Sequence, residues 1–156
     1  MCGIWYSNKF FPPDKDLVNV QKRGPDGFAS ISNSLGYFAH SLLITKPPRY
    51  NQPAVSSYGV LLYNGSIYNT DGNDTVWLQD KLDYNIENCI EVIKSLRGEY
   101  CLVYATEEFT VFCTDQFATR NLWYYFSQEE KTLSISSTPD VLRKHYVGAW
   151  PCEDNQ

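Results

Sequence analysis

The sequence predicts an α+β protein in which antiparallel sheets are covered by helices. Aromatic and β-branched residues are concentrated in short segments that end at turn residues, which is typical of strands. These segments are residues 37–44, 58–63, 100–105, 109–114, 122–126 and 132–136. Residues 100–105 are apolar on both faces, so we expect this strand to be covered on both sides.

Helical spacing is restricted to fewer segments. Residues 85–96 place their apolar side chains on one face, with Asn85 as the N-cap and Gly98 just beyond the end. Asp74 is placed to cap a second helix over residues 74–82. Thr138 and Pro139 open a helix over 141–146, and residues 14–22 give a weaker one.

Length and composition limit the class of protein. The 156 residues predict one domain over residues 1–150, with 151–156 as a tail. The net charge of −5 disfavours nucleic acid and anionic membranes as partners. We find neither an apolar run of about 18 residues nor a basic segment followed by an apolar one at the N-terminus, so we expect a cytoplasmic protein.

Cysteine and histidine usage disfavours a metal site. The five cysteines include no C-x-x-C pair, and the two histidines, His40 and His145, are far apart. An odd number of cysteines without a leader favours a reduced chain. We therefore expect no metal ion, and nothing in the sequence calls for a cofactor.

Cys2 follows the initiator methionine. If Met1 is removed, one residue carries both a thiol and a free α-amine, and the amine, with a pKa of about 7.7–8.0, can act as the base for its own thiol. The alternative is an ordinary cysteine at the start of a strand.

Three further segments each allow a structural and a functional interpretation. Arg23 opens an R-G-P-D turn. Asn64 and Gly65 fit a type I′ hairpin turn, or they supply a side-chain amide and a backbone N–H to a developing oxyanion. Asp74 is a helix cap, or its carboxylate binds a substrate ammonium.

The order of these motifs resembles the class II glutamine amidotransferase domain, and within it the N-terminal glutaminase domain of asparagine synthetases. The motifs are M-C-G-I, then R-G-P-D, Y-N-G-x-I-Y-N, N-D-T and L-R-G-E-Y, and finally T-D-Q-F leading to R-N-L-W-Y-Y. The resemblance runs from Cys2 to about Leu142. It implies an Ntn-hydrolase fold, a four-layer αββα sandwich of two antiparallel sheets.

The resemblance also implies site residues and a reaction. Cys2 would be the nucleophile with its α-amine as base, and Asn64 and Gly65 would form the oxyanion hole. Asp74 would bind the α-ammonium of glutamine, and Arg23 would order the N-terminal site. The enzyme would release ammonia through a thioester, without a cofactor.

The sequence departs from the family at several positions. The family's His-x-Arg, whose arginine binds the glutamine α-carboxylate, reads His40-Ser41-Leu42 here. A planar guanidinium suits a carboxylate, so we expect Arg49 in the following loop to replace that arginine; a solvated loop charge is the alternative. The family's glutamate after Asn-Gly is Ser66, and Ala118 and Asn121 replace a glycine and a proline.

These features leave more than one function open. The first is a stand-alone glutaminase that supplies ammonia to a separate, ATP-dependent synthetase chain, since the sequence contains no S-G-G-x-D nucleotide loop. The second is a related amidohydrolase that cleaves a different amide. The third is a degenerate domain that binds a synthetase or senses a metabolite. Cys2, Asn64 and Gly65 favour the first two, and Leu42 favours the last two.

Overall fold

A computed structural model of the chain describes residues 1–45, 50–146, 148 and 150–151. Its strands are β1 (Gly3–Ser7), β2 (Gly27–Asn33), β3 (Gly36–Leu42), β4 (Ala54–Val55), β5 (Val60–Ile67), β6 (Gly98–Ala105), β7 (Thr110–Thr114), β8 (Trp123–Ser127), β9 (Thr132–Ser136) and β10 (Trp150–Pro151). Its helices are α1 (Val18–Lys22), preceded by a 3₁₀ turn at Asp14–Asp16, α2 (Asp74–Lys81), α3 (Ile86–Ser95) and α4 (Pro139–His145).

The strands form two antiparallel sheets. The first has the order β10-β8-β9-β1-β3-β2 and the second the order β4-β5-β6-β7. In the first sheet, β1 lies between β3 and β9, so the N-terminal strand is central. In the second sheet, β5 and β6 pair over their full length in one unbroken register.

The alternation of side chains along the strands divides the core into separate clusters. Ile4 and Phe38 of the first sheet pack against Leu62 of the second, which fills the space between the sheets. On the outer face of the first sheet, Trp5 packs against Val20 of α1 and Val141 of α4.

The outer face of the second sheet is covered in the same way by α2 and α3. Leu61 and Leu102 pack there against Leu78 and Cys89. Two stacked antiparallel sheets between helical layers confirm the predicted α+β class and the αββα sandwich. Among the helices of the described residues, none combines the length and the apolar character that crossing a membrane requires.

Several local predictions are wrong. Asn64 and Gly65 do not form a hairpin turn, because both lie inside β5 and pair with Cys101 and Tyr100 of β6. The cap of α2 is Asn73, whose side chain accepts from the N–H groups of Thr75 and Val76, and not Asp74.

Four strands, β1, β2, β4 and β10, have no counterpart among the predicted strand segments. β1 is buried along its whole length, so it carries no alternation of polar and apolar residues, and β2 is a mostly exposed edge strand. Residues 152–156 of the predicted tail lie outside the described residues, whereas Pro151 pairs with Trp123 of β8.

Candidate active site

A cavity of about 740 Å³ opens where β1 begins, between the end of β3, the second half of β5 and the start of α2. Four of the predicted site residues line it, namely Cys2, Asn64, Gly65 and Asp74. Arg23 contacts Cys2 from outside the lining. The sixth, Arg49, lies outside the described residues.

Cys2 is held from both sides of the cavity. Its backbone nitrogen donates to Asn64 Oδ1 at 3.0 Å, and its sulfur accepts from the backbone N–H of Leu43 at 3.4 Å. Arg23 Nε donates to the Cys2 carbonyl at 3.2 Å. Burial raises the pKa of the Cys2 thiol, so the resting sulfur is a thiol that needs a base to become a nucleophile.

Asn64 has one half of its amide satisfied and the other half open. The side chain is 4% exposed, and Oδ1 accepts from the Cys2 nitrogen. Nδ2 is buried and has no hydrogen-bond partner among the described residues. A buried donor without a partner is costly, so this N–H pair beside Cys2 is a candidate ligand-binding group.

Gly65 supplies a second donor through its backbone. On the open edge of β5, the Tyr63 N–H and C=O are bonded by Gln52, and the Ile67 N–H by Asp74. Because backbone groups alternate along a strand, the N–H of Gly65 faces this same edge between those two residues.

Glycine is required at position 65 for two reasons. Its φ is +145°, a region that residues with a Cβ rarely adopt. A Cβ would also lie 2.1 Å from the Glu99 carbonyl oxygen. Glycine at position 65 therefore allows β5 and β6 to approach closely, while the Gly65 N–H faces the cavity.

The Asp74 carboxylate accepts three hydrogen bonds from neighbouring residues. Oδ2 accepts from the Tyr63 hydroxyl and the Ile67 N–H, both at 2.9 Å, and Oδ1 accepts from Thr70 Oγ1 at 3.0 Å. Burial, together with the neighbouring Asp74 carboxylate, raises the pKa of the Tyr63 phenol far above its usual range, so the phenol remains a donor.

The structure adds cavity residues that the sequence analysis missed. Gln52 bonds Tyr63 from the loop before β4. Arg120 lines the cavity, with Nη2 at 3.2 Å from Glu99 Oε2 and a buried Nε without a partner among the described residues. No pattern in the sequence marks Gln52, which lies in an irregular loop whose course only the fold determines. Arg120 opens the R-N-L-W-Y-Y motif, but its place beside the cavity was not predicted.

Two further observations concern other parts of the described residues. In the described part of the chain, no group of three or more His, Cys, Asp or Glu side chains is arranged to hold a metal ion. A second cavity, of about 450 Å³, is lined by residues such as Tyr58, Tyr84 and Glu107 and contains none of the predicted site residues.

Comparisons with known proteins give sequence relatives and a structural neighbour. The chain is 27% identical over 153 residues to human asparagine synthetase domain-containing protein 1, covering 87% of this chain. It is 29% identical over 122 residues to the Drosophila melanogaster asparagine synthetase domain-containing protein CG17486, covering 66% of this chain. No family model matches the chain.

The structural neighbour is the glutamine phosphoribosylpyrophosphate amidotransferase of B. subtilis, solved with ADP and GMP. The two folds align with a TM-score of 0.68 over 97% of this chain and 44% of that one, at 14% identity. The chain resembles class II glutamine amidotransferase domains in the order of its motifs and in its fold. Its two sheets and flanking helices are those of the Ntn-hydrolase fold.

This amidotransferase-like domain corresponds to a part of the relatives. It spans 22% and 24% of the length of the two asparagine synthetase domain-containing proteins. The similarity therefore concerns less than a quarter of the length of each relative.

Proposed function

We propose that this domain hydrolyses the side-chain amide of glutamine through Cys2 once Met1 has been removed. The observation that carries the proposal is that the oxygen and the nitrogen of the Asn64 amide have different surroundings. Its Oδ1 accepts from the Cys2 nitrogen, while its buried Nδ2 has no partner among the described residues. The same side chain can thus orient the base and stabilise an oxyanion beside the sulfur.

The proposed reaction begins with the transfer of the Cys2 thiol proton to the Cys2 α-amine. The thiolate attacks the amide carbon, and the negative oxygen accepts hydrogen bonds from Asn64 Nδ2 and the Gly65 N–H. The C–N bond then breaks as the ammonium form of the Cys2 amine protonates the amide nitrogen, which leaves as ammonia while the oxyanion collapses to a thioester carbonyl. Water hydrolyses the thioester in a second cycle, which yields glutamate and restores the thiol.

The raised pKa of the Cys2 thiol supports a built-in base. A buried thiol ionises poorly by itself at neutral pH, so the α-amine of the same residue would supply the proton acceptor. Asn64 Oδ1 would keep this amine beside the sulfur, and Arg23, bonded to the Cys2 carbonyl, would order the N-terminal residue.

We assign Asp74 to the α-ammonium of glutamine. Its carboxylate lines the cavity and keeps lone pairs on Oδ1, which accepts only from Thr70 among the described residues. For the α-carboxylate we retain Arg49, and Arg120 is a second candidate because it lines the same cavity. Loss of the true partner should raise KM for glutamine with a smaller change in kcat, so Arg49→Ala and Arg120→Ala distinguish the two.

The central test is the replacement of Cys2. In protein shown by intact mass to lack Met1, Cys2→Ala should abolish ammonia release from glutamine and labelling by a glutamine-like diazoketone. Cys113→Ala is the matched control and should change stability alone, because a half-buried cysteine of β7 acts as a small hydrophobic residue. Undiminished ammonia release by the Cys2→Ala protein would end the proposal.

We further propose that the ammonia is used by a separate, ATP-dependent synthetase chain. The supporting observation is the similarity to one domain of two proteins whose names include asparagine synthetase. A synthetase that forms its product faster from glutamine in the presence of this domain, and equally fast from ammonium salts without it, would support the proposal. A synthetase whose use of glutamine does not respond to this domain would contradict it.

A different amide substrate is a second candidate, and the cavity wall favours it. Leu42, Leu43 and Ile44 line the side on which the family's arginine is expected, and Asp74 already accepts three hydrogen bonds from the protein. Ammonia release from apolar primary amides, faster than from glutamine and abolished by Cys2→Ala, would establish this candidate.

A further inference from the structure

Gln52 stands where a neighbouring strand of β5 would continue. β4 pairs with β5 through Ala54 opposite Leu61, and the same register, continued by two positions, places Gln52 opposite Tyr63. The side chain of Gln52 replaces the missing backbone there. Its Oε1 accepts from the Tyr63 N–H at 2.6 Å, and its Nε2 donates to the Tyr63 carbonyl at 3.0 Å.

The same amide also reaches the other wall of the cavity. Gln52 Nε2 lies 3.3 Å from Thr75 Oγ1, in the first turn of α2 and next to Asp74. Gln52 is 7% exposed, so these bonds are shielded from water. One planar side chain thus connects the strand that carries Asn64 with the helix that carries Asp74.

We propose that Gln52 is a positioning residue that holds the edge of β5 so that Asn64 and Gly65 present their donors to the substrate. The inference rests on the proposed amide hydrolysis. Tyr63 directly precedes Asn64, so a rotation of the Tyr63 backbone would displace both the Asn64 amide and the Gly65 N–H. A displacement of about 1 Å in such a site can lower the rate roughly 10²-fold.

A strand at this edge would obstruct the cavity, whereas a side chain does not. A further strand would pair with the outward N–H and C=O of Gly65 as well as with those of Tyr63. On this edge of β5, Gln52 bonds Tyr63 and leaves the N–H of Gly65, the next outward group, open, whereas the N–H of Ile67 beyond it is bonded by Asp74. The substitution of a side chain for a strand therefore keeps the edge rigid and leaves Gly65 free to bind a ligand.

The first test compares Gln52→Glu with Gln79→Glu. The Gln52→Glu variant keeps the length of the side chain and the acceptor for the Tyr63 N–H, but it loses the donor and faces the Tyr63 carbonyl with a carboxylate oxygen. We expect kcat for glutamine to fall roughly 10–100-fold, with KM within about threefold of wild type because Ile67 and Thr70 hold Asp74 independently.

Gln79 is the matched control, since its Nε2 donates to the Val55 carbonyl on the same sheet edge outside the cavity. Gln79→Glu should leave kcat within about twofold of wild type. A folded Gln52→Glu protein with wild-type kcat would overturn the inference, and so would equal losses of kcat in the two variants.

The second test does not depend on activity. Amide hydrogen exchange should show the Tyr63 N–H exchanging at least roughly tenfold faster in Gln52→Leu than in wild type. The N–H of Leu62, which points to β6 on the other side of the strand, should be unchanged and provides the internal reference. Unchanged protection of Tyr63 would overturn the inference.

The two tests separate failure of the inference from failure of the proposed function. If wild-type protein lacking Met1 releases ammonia and Gln52→Glu does so equally fast, the positioning role alone is wrong. If wild-type protein hydrolyses no amide, the proposed function is wrong, and the exchange of Tyr63 then decides whether Gln52 holds the strand edge.

Discussion

The two halves of β5 satisfy the same backbone edge in different ways. At residues 60 and 61 this edge pairs with another strand, with Val60 and Leu61 opposite Val55 and Ala54 of β4. In residues 63–67 side chains take over, with Gln52 on Tyr63 and Asp74 on Ile67. The N–H of Gly65 between them faces the cavity. The difference shows how a sheet can be opened for a ligand without being left unsupported.

The proposed oxyanion donors lie in the half of β5 that does not pair with β4. Asn64 and Gly65 pair with β6 on one side, so their positions are fixed by an unbroken antiparallel register. On the other side they line the cavity beside Cys2. A rigid strand therefore presents the donors, which is the arrangement that a preorganised oxyanion site requires.

The largest expected effect is that of Gly65→Ala, which would place a methyl group in the narrow space between β5 and β6. A Cβ at 2.1 Å from the Glu99 carbonyl oxygen and a φ of +145° combine steric overlap with backbone strain. We expect a loss of roughly 4 kcal/mol in the free energy of unfolding, measured by urea titration.

Gly72→Ala is the control for Gly65→Ala. Gly72 has a φ of +83°, but nothing lies within 4 Å of an added Cβ. Its variant should lose only about 1 kcal/mol from backbone strain. Equal losses in the two variants would show that the close approach of β6 at Gly65 does not matter.

We expect Asn64→Ala to lower kcat while the protein still folds. Removal of an oxyanion donor lowers kcat by about 10²–10³-fold, or roughly 2.7–4 kcal/mol of activation free energy. The measurement is steady-state ammonia release from glutamine by protein that lacks Met1.

Asn69 is the matched asparagine for this test. Its side chain donates to the Ser95 carbonyl at 2.9 Å and accepts from the Arg97 N–H at 2.8 Å, and it does not line the cavity. Asn69→Ala should cost about 1–2 kcal/mol of stability without a change in kcat. A loss of kcat in Asn69→Ala equal to that in Asn64→Ala would contradict a specific role for Asn64.

His40 of β3, in the first sheet, contacts β5 and makes the stability of the fold depend on pH. Its Nε2 lies 3.2 Å from the Tyr63 carbonyl, and burial lowers the pKa of His40 to about 4. Between pH 6.5 and 4 the unfolded chain binds a proton that the folded chain does not. Stability is therefore lost as the pH falls through this window, by about 3 kcal/mol in total.

His40→Gln should remove this dependence, since the amide can still donate to the Tyr63 carbonyl but does not titrate. Urea unfolding of wild type and variant at several pH values between 4 and 7 isolates the histidine, because the carboxylates are common to both proteins. Parallel stability curves would show that His40 titrates normally in the folded protein.

The sequence was sufficient to predict the α+β class, the layers and the presence of Cys2, Asn64, Gly65 and Asp74 at one cavity. The α+β class follows from periodicity, whereas the four layers and the residues follow from the resemblance that the order of motifs carries. The hairpin interpretation of Asn64-Gly65 is wrong. An Asn-Gly pair has the same local preference in a hairpin turn as in a strand where glycine adopts positive φ, so the local sequence does not distinguish the two. Pairing with β6, a long-range interaction, decides between the two.

Gln52 could not be predicted, for a related reason. Its function depends on the register of β4 against β5 and on the approach of Thr75 from α2, neither of which is encoded near residue 52. The N-cap of α2, for which Asn73 and Asp74 are both candidates, could not be assigned from the sequence for the same reason. Both are good helix caps by residue type, and only the bonds of Asp74 to Tyr63 and Ile67 assign the cap to Asn73.

The smallest expected effect concerns Ala118, on a turn that follows the second sheet. Ala118 has a φ of +50°, at the position where the resemblance expects glycine. The left-handed conformation costs an alanine about 1–2 kcal/mol, and glycine in turn costs about 0.5–1 kcal/mol of additional unfolded-chain entropy. Ala118→Gly should therefore stabilise the protein by roughly 0.5 kcal/mol in urea titration.

The turn itself should not move in this variant. The Asp115 carboxylate accepts from the N–H groups of Phe117 and Thr119, and the Ala118 N–H donates to the Asp115 carbonyl at 2.9 Å. These bonds are made by neighbouring backbone and not by the Ala118 side chain, so kcat for glutamine should stay at the wild-type value. A destabilised Ala118→Gly protein would show that the methyl group contributes more through packing than the positive φ costs, and that this turn tolerates the left-handed conformation without glycine.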